Sequence, residues 1–111
     1  MRENFFFWPI LPEREMGRGV TLQEVHLNNL MVTRVVMERG ARIPPHTHPH
    51  EQITVVVRGK LEFELEGTRK ILGAGEGVKI PSGAKHSAVA VEDCECLDAW
   101  HPVREDYIIE S

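Results

Sequence analysis

The sequence predicts an all-β fold, a closed barrel or jelly-roll sandwich of about eight short strands, since closure is how such sheets deal with their edges. Three features point there. Short apolar runs are rich in β-branched residues, Gly/Pro/Asn/Asp clusters separate them at short intervals, and no 3.6-residue apolar period persists beyond about two turns. Thr21–His26 and Met31–Glu38 read as strands separated by Asn28-Asn29. Gln52–Val57 is dense in Ile, Thr and Val. Arg58-Gly59-Lys60 turns the chain into Leu61–Glu66, whose alternation puts Leu61, Phe63 and Leu65 on the buried face, and Gly67-Thr68 turns it again into Arg69–Leu72. After Gly73–Gly77 come Val78–Ile80, the break Pro81-Ser82-Gly83, and the last two strands, Ser87–Val91 and Glu95–Trp100.

With 111 residues, 41% hydrophobic and 27% charged, the chain reads as a single domain spanning 1–111 with its own core. No apolar run approaches the roughly 20 residues that span a bilayer. The start, Met1 to Pro9, is too short and too soon interrupted for a signal peptide, so a cytoplasmic location is expected, with no membrane partner. Thirteen Lys+Arg against 17 Asp+Glu give a net charge of −4. Arg34, Arg39, Arg42 and Arg58 form a mildly basic stretch, but Glu38 and Glu51 interrupt it and no aromatic is interleaved, which argues against nucleic acid. Cys94 and Cys96, two apart on one strand, are poorly spaced for a mutual disulfide and read as free thiols.

Three of the six histidines stand together in His46-Thr47-His48-Pro49-His50, just after Pro44-Pro45. In extended chain His46, His48, His50 and Gln52 share a parity, while Glu51 faces the other way. Pro81-Ser82-Gly83-Ala84-Lys85-His86 delivers one more imidazole after a tight turn. Neutral imidazoles are ligands for Zn, Fe, Ni, Cu and Mn, and three of them with an open side is the arrangement of catalytic metal sites. His26 and His101 have no evident partner and read as structural or surface residues.

These two stretches resemble the motifs of the cupins. Gly40, five residues, His46-Thr47-His48 and then Gly59 fit the first motif over 40–59, with Gln52 where the family usually has Glu. Gly75, five residues, Pro81-Ser82-Gly83 and His86 fit the second over 75–90, with Ala90 where Asn is usual. The resemblance implies a conserved-barrel jelly roll (a double-stranded β-helix). It also implies one divalent transition metal (Zn, Ni, Fe or Mn) held by His46, His48, Gln52 and His86. Four neutral ligands would leave the full +2 charge on the ion, favouring an anionic substrate and weakening metal binding. A bulge shifting the register would bring Glu51 to the metal in place of Gln52. His50, close behind His48, is expected to face substrate or the surface rather than to ligate.

On the last strand Cys94, Cys96, Asp98 and Trp100 share a face, and parity alone leaves open whether that face is cavity or solvent. Here the resemblance extends to the small pectin-degradation cupins that act on 4,5-unsaturated uronates. It rests on Phe5-Phe6-Phe7, on the stretch His46–Thr54, and on the tail Asp98–Asp106. It implies Asp98 as the catalytic acid/base, Trp100 where an aromatic (usually Phe) walls the pocket, and Arg104 binding the substrate carboxylate. Two further functions share such a barrel, an iron-dependent dioxygenase and a non-catalytic sugar- or acid-binding module. Residues 1–12, with Phe5, Phe6, Phe7 and Trp8, form an apolar start that either packs across a homodimer, the expected arrangement, or caps its own barrel.

Overall fold

A computed structural model of the chain describes residues 4–110, so the expected domain limits at 1 and 111, and the first three residues of the 1–12 segment, lie outside the described residues. Ten strands are present among those described: β1 (Arg14–Gly17), β2 (Val20–His26), β3 (Met31–Met37), β4 (Arg42–His46), β5 (Glu51–Arg58), β6 (Leu61–Leu65), β7 (Thr68–Leu72), β8 (Gly77–Ile80), β9 (His86–Ala90) and β10 (Cys94–His101). They form two antiparallel sheets, six strands in the order β1-β2-β3-β10-β5-β8 and four in the order β4-β9-β6-β7. This is an all-β jelly roll. No helix is long and apolar enough to cross a membrane among the described residues.

The two strands beyond the expected eight, β1 and β4, are edge strands with irregular register. β4 contains Pro44 and Pro45, which lack an N–H and are tolerated only where a ladder bond is dispensable; its pairing with β9 shifts between Ile43 and His46. Strand alternation places the core as the sequence pattern requires. Val35 and Met37 on β3, Cys94 and Cys96 on β10, Val56 on β5, and Leu61 and Phe63 on β6 are all buried between the sheets. At Gly59, with φ +82°, any Cβ would overlap the Asp93 carbonyl and Cys94, so the β5–β6 turn admits only glycine. Cys94 and Cys96 are free thiols, both buried. On the outer face, buried Gln23 donates to the carbonyls of Trp8 (2.6 Å) and Leu11 (3.0 Å), pinning the N-terminal segment across β2.

Candidate metal centre and its cavity

Two proline-containing loops bring three imidazoles to one end of the barrel. β4 ends at His46, His48 follows in the loop to β5, and His86 opens β9, where it is the register partner of His46. Gly83 N donates to the His48 carbonyl at 2.9 Å and ties the loops together. One nitrogen from each of His46, His48 and His86 lies within 4.8 Å of the others.

Backbone carbonyls decide which nitrogens these are. The Nδ1 atoms of His46, His48 and His86 lie 2.8, 3.0 and 2.9 Å from the carbonyl oxygens of Pro44, His50 and Ala84. A carbonyl only accepts, so each Nδ1 carries the hydrogen and each Nε2 presents a lone pair. His48 Nε2 then faces His86 Nε2 at 3.2 Å and Gln52 Oε1 at 3.0 Å with no hydrogen for either contact. The Gln52 amide is oriented from its other end, where Nε2 donates to Thr54 Oγ1 at 2.9 Å and Asp98 Oδ1 at 3.4 Å. Lone pairs crowded this closely repel one another unless a cation lies among them. Three imidazoles held by carbonyls, with a carboxamide oxygen beside them, fit a divalent transition metal. Burial, then His86 and Arg104, push His48 down to about 4, and burial also lowers His86. These shifts favour the neutral imidazole, the form that ligates.

Opposite the imidazoles stands a carboxylate that only receives hydrogen bonds. Asp98 Oδ1 accepts from Thr54 Oγ1 (2.5 Å), and Oδ2 accepts from Thr33 Oγ1 (3.1 Å). Burial raises the Asp98 pKa, against the lowering effect of Thr54, Thr33 and Gln52. Thr33 also accepts from the indole N–H of Trp100 at 2.9 Å. Trp100 is buried and meets the rings of His48 and His50 edge-on at 5.3 and 6.4 Å. Past β10 the chain returns over this end as a strap, with the Arg104 guanidinium 4.9 Å from the Trp100 ring centre and 4.0 Å from that of Tyr107. His46, Gln52, His86, Asp98, Trp100 and Tyr107 line one cavity of about 90 Å³, together with the apolar Leu22, Ile43 and Phe63.

The structure thus brings His46, His48, Gln52, His86, Asp98 and Trp100 together, with His50 and Arg104 packed against Trp100. Glu51 is exposed on the outer face, paired with His101, and does not turn toward the imidazoles. His26 is also exposed, with Nδ1 2.7 Å from Glu24. Thr33, Thr54 and Tyr107 were not anticipated: the threonines join the site only through cross-strand register, and Tyr107 only through the return of the strap.

The cupin domain model matches residues 33–100, more than half of the chain. The chain is a cupin. Over 108 residues this cupin is 31% identical to the pectin degradation protein KdgF of Dickeya dadantii (strain 3937), covering 95% of this chain and 98% of that protein. Its structure is similar to that of KdgF from Halomonas sp., with TM-score 0.89, 34% identity, and coverage of 94% and 97% of the two chains. It is equally similar to an RmlC-like cupin from Shewanella frigidimarina NCIMB 400, with TM-score 0.90, 28% identity, and coverage of 94% and 95%. A cupin resembling a pectin-degradation protein and carrying a three-histidine cluster compatible with a metal ion is what fold, site and relatives agree upon.

Proposed function

We propose that this cupin is a metal-dependent, non-redox isomerase that linearises 4,5-unsaturated uronates to 5-keto-4-deoxyuronate, in pectin or alginate breakdown. The carrying observation is one small cavity with imidazole lone pairs on one wall and a buried carboxylate on the other. The pectin-degradation relative supports the substrate class.

In this reading His46, His48, His86 and Gln52 hold one divalent ion, Zn, Ni, Fe or Mn. Bound there, it supplies Lewis acidity to the sugar oxygens. Asp98 takes the proton of the anomeric hydroxyl as the bond from the anomeric carbon to the ring oxygen opens. It returns a proton to C4 as the released enol becomes a ketone, so atoms balance and no oxidant is needed. A carboxyl whose proton affinity burial raises, and whose geometry two threonines hold, suits a group that both takes and gives. Arg104 Nη1 and His50 Nδ1 are buried with no partner among the described residues, on side chains that both pack on Trp100, which lines the cavity. Unpaired buried polar groups are costly, and an anionic substrate satisfies the Arg104 donor. Arg104 therefore binds the uronate carboxylate, with His50 and Trp100 as further contacts.

The working unit in this reading is a cytoplasmic homodimer. Phe5, Phe6 and Phe7 are 83%, 54% and 62% exposed, and Ile53, Val55 and Val57 are exposed on the outer face of β5. A second copy covering both patches removes that apolar area from water; a monomer in sedimentation at micromolar concentration overturns it. The activity is tested by loading the protein with metal and following, without oxygen, the ultraviolet absorbance of the conjugated enol acid. Loss of absorbance is expected. Oxygen consumption with iron bound, or binding without turnover, overturns the isomerase.

A further inference from the structure

The strap holds one more charged group whose geometry is specific. Asp106 lies two residues beyond Arg104 and receives two bonds from the same side of the guanidinium, from Nε at 3.1 Å and Nη2 at 2.8 Å. Its own backbone is anchored, since Arg14 Nη2 donates to the Asp106 carbonyl at 2.7 Å. The two members of the pair differ in surroundings: the Arg104 side chain is 11% exposed and the Asp106 side chain 62%. A guanidinium has five N–H donors in a planar fork, and a carboxylate on the Nε–Nη2 side leaves the Nη1–Nη2 end open. Nη1, at that open end, is the nitrogen found buried and without a partner among the described residues.

We propose that Asp106 is a positioning residue for anion recognition: it clamps the side edge of Arg104 so that the unpaired end of the guanidinium is presented to a carboxylate of the substrate. This deepens, and rests on, the assignment of Arg104 as the substrate's anchor. The opposite role, an internal carboxylate competing with substrate for Arg104, would require Asp106 on the open end; the bonds run to the other edge. The Tyr107 and Trp100 rings stand at 84° to one another, so a planar guanidinium cannot lie flat on both, and contact with them alone leaves it free to turn. The two bonds to Asp106 remove that freedom. Pre-orientation of this kind lowers the ordering cost of binding an anion. Arg104 in turn holds the Asp106 carboxyl below the usual carboxylate range, so the clamp stays ionised across the neutral pH range.

The test compares metal-loaded wild type with D106N and D106E on a 4,5-unsaturated uronate and on its methyl ester, with metal content and melting temperature measured for each. Loss of a charge-assisted clamp is expected to raise KM for the free acid by about tenfold, with the effect concentrated in KM rather than kcat. For the methyl ester the difference between wild type and D106N is expected to vanish, and D106E to recover part of the loss. A lower KM in D106N, or an equal loss on acid and ester, overturns the proposal. Should wild type turn over neither sugar, the isomerase reading fails, but the clamp is still read from the Arg104 Nε–Hε resonance. A discrete, slowly exchanging signal in wild type that averages out in D106N supports it; the same signal kept in D106N overturns it.

Discussion

Three neighbouring strands of the larger sheet, β3, β10 and β5, carry two adjacent rows of inward side chains that differ in kind. One row is Val35–Cys96–Val56; the next, one pleat along, is Thr33–Asp98–Thr54. Backbone, register and burial are the same in both, yet the first is part of the apolar core and the second is a carboxylate held between two hydroxyls. Even Cys96 behaves as apolar: the contact with Cys94 and burial push its thiol far up, so it stays neutral. The facing sheet completes the contrast, offering Leu61 and Ala90 to the core but His86 toward the site. A site can therefore be built into a barrel with no change of fold, by replacing one row of side chains where the sheets open.

The sharpest way to break this comparison is Asp98→Asn. It keeps the shape and removes the proton-transferring group, so turnover should fall by about 10²–10⁴-fold. Metal content, measured on the same preparation, should be unchanged, because Asp98 touches the imidazole cluster only through Gln52. A variant with full activity removes Asp98 from the chemistry.

The row beyond should answer differently. Val56→Ala deletes two buried methyl groups at a fully buried position and should cost about 2 kcal/mol in urea unfolding. It should leave KM near the wild-type value. Between the histidine cluster and the apolar row pH also discriminates. His48 in the metal-free protein is pushed down to about 4 from 6.5. In that interval the unfolded chain binds more protons than the folded one, so stability rises with pH and is lost as pH falls from about 6.5 to about 4. Thermal melts of metal-free protein should show this contribution; Val56→Ala should lower the whole curve in parallel, and His48→Asn should make it shallower, with His86, also lowered, still acting in the same direction and Asp98, raised, in the opposite one.

How far this arrangement was legible beforehand follows from which signals are local. Parity within one strand separates Gln52, buried, from Glu51, exposed, and turn chemistry places His86 at the start of β9. The alternation in Leu61–Leu65 is equally local and fixes its inward face. Thr33 and Thr54 were invisible because nothing near them in sequence marks them: each becomes a partner of Asp98 only once β10 pairs with β3 on one side and β5 on the other. β4 was missed because its two prolines mask a strand that only edge position tolerates. Tyr107 and Asp106 depend on a strap that leaves the sheet and comes back, held by Arg14 on Asp106 and by Glu24 on the Ile109 N–H.

The smallest effect should come from the third row, at Trp100, where the resemblance to pectin-degradation cupins implies Phe. Trp100→Phe keeps an aromatic against His48, Tyr107 and Arg104 but removes the indole N–H that donates to Thr33. Thr33 Oγ1 keeps its own bond to Asp98, so the carboxylate stays in place while the hydroxyl loses one donor. A net loss of about 1 kcal/mol in stability is expected, as for one neutral hydrogen bond. The smaller ring also widens the cavity beside Asp98, so any kinetic change should appear in KM and stay within about tenfold, the scale of a lost packing contact in a pocket. If Trp100→Phe instead abolishes turnover as Asp98→Asn should, then the indole N–H and Thr33 are what hold the carboxylate in its working position. The indole–Thr33 bond would then belong to the catalytic arrangement rather than to the support of the fold.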